Sequence, residues 1–97
     1  MKDQYVIIKN GKYYVIDKDK YEISEKFLDR CWFIVNCMEN TKLPYSEILQ
    51  CSRIWSNIKF NNCSYDNMTM DKINTLENNI YKKNEEEINN DGYIIEI

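Results

Sequence analysis

The sequence predicts an α+β fold in the order ββαααβ, with a three-stranded antiparallel sheet packed on helices. Three observations point there. An Asn-Gly dipeptide sits at the centre of a β-branched and aromatic run, three later segments carry apolar residues at helical spacing, and Tyr93-Ile-Ile-Glu-Ile97 follows a second turn signal at Asp91-Gly92. At 97 residues the chain is expected to form a single domain over 1–97.

The hairpin is expected over residues 5–16, YVIIKNGKYYVI. A two-residue type I′ turn needs positive φ at both central positions, which Asn and Gly supply at least cost. That register sets Val6 against Val15 and Ile8 against Tyr13 on one face, and Ile7 against Tyr14 on the other. Both faces are therefore apolar. One is expected to pack on helices, and the other needs more protein or a partner.

Helices are expected at about 24–39, 45–59 and 69–84. Ser24 is placed to cap the first, with Glu25 at its positive end and Ile23 and Leu28 as a hydrophobic staple. Phe27, Leu28, Cys31, Ile34, Val35 and Met38 share one arc of that helix, whereas Phe33 points to the opposite side. Either this helix is covered twice or Phe33 is an exposed anchor. Pro44 or Ser46 opens the second helix, where Ile48, Cys51, Ile54, Trp55 and Ile58 share a face opposite Gln50, Arg53 and Asn57. Thr69 is placed to cap the third, whose stripe of Met70, Ile73, Leu76 and Ile80 is narrow enough for a surface helix. In the final strand, 93–97, Tyr93, Ile95 and Ile97 are expected on one side, with Ile94 and Glu96 on the other.

Composition narrows the chemistry. The chain lacks histidine, so the commonest general acid–base is missing and no Cys-His or Ser-His pairing can form. Two glycines leave no phosphate-binding loop. Cys31, Cys37, Cys51 and Cys63 show no C-x-x-C spacing, and Cys31 and Cys51 fall on apolar faces as small hydrophobes. Asp17-Lys-Asp19 opens like a calcium loop but has Glu22 at the sixth position and Leu28 at the twelfth. No enzyme, metal or cofactor is expected. The chain has no alanine, 14 isoleucines, 13 asparagines and 11 lysines, a codon-driven bias that points to an AT-rich genome. No apolar signal segment opens the sequence, which sets an expectation of a reducing cytosol and no membrane.

A net charge of −3 disfavours general binding to nucleic-acid backbones. Lys9, Lys12, Lys18, Lys20 and Lys26, with the tyrosines, leave a nucleic-acid-associated regulator as the alternative, and a structural virion component as another. The favoured reading is a binding protein. In size, composition and lack of catalytic equipment the chain resembles small acidic inhibitors from phages and mobile elements, including anti-CRISPR and counter-defence proteins. That resemblance implies inhibition of a host protein in the host cytosol, and the acidic residues Glu77, Glu85 to Glu87, Asp91 and Glu96 point to a basic nucleic-acid-binding surface on it. A second copy of the chain is the other partner considered. The contact residues expected are Phe33, Arg53, Glu85, Glu86, Glu87 and Asp91.

Overall fold

A computed structural model describes residues 3–80 and 94–97. Strands β1 (Gln4–Lys9) and β2 (Lys12–Asp17) form the expected hairpin in the expected register, with Val6 opposite Val15, Ile7 opposite Tyr14 and Ile8 opposite Tyr13. Asn10 and Gly11 have φ of 52° and 76°, the left-handed pair that a type I′ turn requires. Three helices follow: α1 (Ser24–Asn40), α2 (Tyr45–Asn61) and α3 (Asn67–Ile80). The short β3 (Ile94–Glu96) completes a sheet of order β2-β1-β3.

The expectation of a purely antiparallel sheet is corrected: β3 runs parallel to β1, with Val6 opposite Ile94 and Ile8 opposite Glu96. Parallel pairing needs a long crossover, and the helices between β2 and β3 provide it. Tyr93 lies outside the described residues, and over 94–97 the expected side-chain alternation holds. Ile95 is buried and Ile97 half-buried, while Ile94 and Glu96 are exposed.

α1 is the centre of the molecule. Phe27 and every residue from Asp29 to Met38 are buried, in one core with residues of the sheet, α2 and α3. Phe33 is therefore core. Its ring stacks on Trp55 of α2 at 5.0 Å, and Trp32 meets the same indole at 5.7 Å. Small side chains let the two helices approach: Ser52 and Ser56 are buried and return their hydroxyls to Leu49 and Arg53 carbonyls. α3 buries Ile73 and Ile80 and leaves most of its surface in solvent, as its narrow stripe implied.

The N-terminal caps of α1 and α3 differ from expectation. Ser24 is the first helical residue, the cap position is Ile23, and no side chain satisfies the end. Pro44 caps α2, and Asn62 closes it in the left-handed conformation, where the Asn57 carbonyl accepts from the Asn62 and Cys63 N–H groups. α3 begins at Asn67 rather than Thr69, because Asp66 is the acceptor: its Oδ1 takes the Thr69 N–H at 2.7 Å.

Candidate functional site

The alternation of β1 and β2 sends Tyr5, Ile7 and Ile16 into the core at 2% exposure or less. The same alternation must send Val6, Ile8, Tyr13 and Val15 to the outer face. Val6 and Ile8 are half-buried there, while Tyr13 is 70% and Val15 49% exposed. β3 extends the patch, because Ile94 lies directly across from Val6 and is 57% exposed. Five apolar side chains thus lie side by side across three strands. The Gln4–Asp17 hydrogen bond borders one end, and Glu96 borders the other beside Ile8.

The core shared with the helices takes in Tyr5, Ile7, Tyr14, Ile16 and Ile95 of the sheet and none of these five outer residues. A contiguous apolar centre with a polar rim is the anatomy of a protein-binding patch, whereas single exposed apolar residues are ordinary. Tyr21, Ile23 and Met68, the other large exposed apolar residues, lie in the loop before α1 and at the start of α3. The signal for the outer face was present in the sequence as the two-sided hairpin, although the residues singled out for contact lay elsewhere.

Those residues scatter. Phe33 is fully buried, so it offers a partner no surface, and its expected role as a contact is corrected. Arg53 is exposed but engaged within the chain. Its guanidinium grips both Asp19 oxygens at 2.6 and 3.1 Å, tying α2 to the loop before α1. That bond holds the Asp19 carboxyl below the usual range and raises the guanidinium. Glu85, Glu86, Glu87 and Asp91 lie outside the described residues.

The thiols fit the expectation of small hydrophobes. Cys31, Cys37 and Cys51 are buried and Cys63 is half-buried, all four as free thiols. Burial pushes Cys31 and Cys37 up to about 12, so neither ionises near neutrality. Among the described residues, no group of three metal-ligating side chains converges, and no helix is long and apolar enough to cross a membrane.

A family model described as XRN-Two Binding Domain (XTBD) matches residues 16–92. Neither a curated protein nor a solved structure matches the chain.

Proposed function

Because this chain belongs to the XRN-Two Binding Domain family, we propose that it is a non-catalytic docking module for an XRN-type exoribonuclease in eukaryotic RNA decay. Family membership overturns the expectation of a phage or mobile-element inhibitor of host defence. The reason is physical. Small size, acidity and missing catalytic residues describe any compact binding module, and codon bias carries no information about the partner.

The observation that carries the docking mode is the outer face of the sheet. Tyr13 and Val15 stand exposed beside Val6, Ile8 and Ile94 on a backbone fixed by two strand pairings. A rigid aromatic on such a scaffold loses little conformational entropy on binding, which is why such residues act as anchors. Titration calorimetry against an XRN-type exoribonuclease tests the reading. Saturable one-to-one binding with a negative heat-capacity change is expected, since burial of apolar surface gives that sign. An absence of binding at micromolar concentrations contradicts it.

A further inference from the structure

The opposite side of the hairpin tip holds a second feature that the outer face does not use. A cleft of about 410 Å³ opens between the turn, the end of α1 and the start of α2. Its lining divides by chemistry. Tyr14, Leu43, Tyr45 and Ile48 make an apolar floor, in which the Tyr14 and Tyr45 rings meet at 4.7 Å. Lys9, Lys12 and Lys42 supply the charge, and among the described residues no carboxylate lines the cleft.

The lysines are placed at a local cost. Lys9 and Lys12 are direct partners across the hairpin, and like charges directly opposite repel. Lys9 relieves part of this by donating to the Met38 carbonyl at 2.6 Å, near the negative end of α1. An ammonium has three donors, so this bond leaves Lys9 with capacity to spare. Lys12 and Lys42 are exposed and form no ion pair among the described residues. Among the described residues, positive charge thus collects over an apolar floor without a counter-ion.

Resting on the docking function proposed above, we infer that this cleft receives an acidic segment of the exoribonuclease, with a carboxylate between the lysines and an adjacent apolar side chain on the floor. The cleft and the outer face lie on opposite sides of one hairpin, so the partner grips its tip from both. The two contacts differ in character. The outer face contributes apolar burial, which salt hardly weakens, and the cleft contributes charge attraction, which salt screens.

Lys12→Glu/Lys42→Glu tests the cleft while leaving the Lys9–Met38 bond in place. Affinity for the exoribonuclease is measured from low to high salt, with circular dichroism to confirm the fold. The variant is expected to bind at least tenfold more weakly at low salt, with the gap to wild type closing as salt rises. Wild-type affinity in the variant at every salt concentration overturns the cleft assignment and leaves the outer-face reading standing. If wild type itself fails to bind, both fall. Wild-type retention of an RNA oligonucleotide, lost in the variant while exoribonuclease affinity is unchanged, would assign the cleft to nucleic acid and also overturn the inference.

Discussion

Arg30 holds Glu22 through two parallel hydrogen bonds, Nε to Oε2 and Nη2 to Oε1, each 3.0 Å long with both side chains 3% exposed. The pair closes the loop between hairpin and α1, since Arg30 also donates to the Asp17 carbonyl and Glu22 accepts the Asp19 N–H. Removing one member strands a buried charge, which costs about 3–5 kcal/mol. Arg30→Met is therefore expected to lower denaturant-measured stability by that amount. Glu22→Leu/Arg30→Met should recover part of the loss and not all of it, because the Asp17 carbonyl still lacks its donor. Full additivity of the two substitutions in a double-mutant cycle would show that the pair is not coupled.

The Asp19–Arg53 pair is exposed, and its value is correspondingly small, about 0.2–1 kcal/mol. Asp19 sits below its ordinary 3.8 in the fold, chiefly through the Arg53 hydrogen bond. A carboxyl depressed in the folded state stabilises above its unfolded pKa, and that contribution is lost as pH falls through the folded value. The melting-temperature difference between wild type and Arg53→Ala should accordingly be present at pH 6 and shrink as pH falls below the ordinary 3.8 and through the lowered folded value. A difference that grows on acidification has the wrong sign.

Tyr45 presents a different accounting problem. Its hydroxyl is buried without a hydrogen-bond partner among the described residues, and burial raises its pKa, so it stays protonated at neutral pH. A stranded polar group costs about 1–3 kcal/mol. Tyr45→Phe keeps the ring against Tyr14 and removes that cost, so the melting temperature should hold or rise by several degrees. A clear fall would mean that the hydroxyl has a partner in solution.

Phe33 separates core from contact. Stacked on Trp55 and fully buried, it should contribute to stability alone. Truncating such a ring to alanine costs about 3–5 kcal/mol, so Phe33→Leu is the gentler probe. Its melting temperature should drop while the folded protein binds the exoribonuclease with wild-type affinity. Weaker binding by fully folded Phe33→Leu would return the residue to the interface.

The hairpin was legible in the sequence because its register follows from local rules. Asn10-Gly11 dictates the turn, and the turn dictates which residues face each other. The helices were legible as elements and less so in their surroundings. Periodicity marked one buried arc on α1, but burial of Trp32, Phe33 and Asn36 depends on what packs against the other side. The direction of β3 is likewise a property of the crossover rather than of the strand. The Asp66 cap was missed because Thr69, three residues on, is also a capping residue by type. The outer face could be read from two-sided alternation; the cleft could not, since Lys42 and Tyr45 reach the hairpin only through the fold.

The most direct test of the account is the affinity of Tyr13→Ala/Val15→Thr for an XRN-type exoribonuclease. Both positions lie on the outer face, so the substitutions remove the apolar anchor without opening the core. Loss of an aromatic anchor costs on the order of 2 kcal/mol, and the account predicts binding at least tenfold weaker by a protein with an unchanged circular dichroism spectrum. Wild-type affinity in this variant would contradict docking through the sheet.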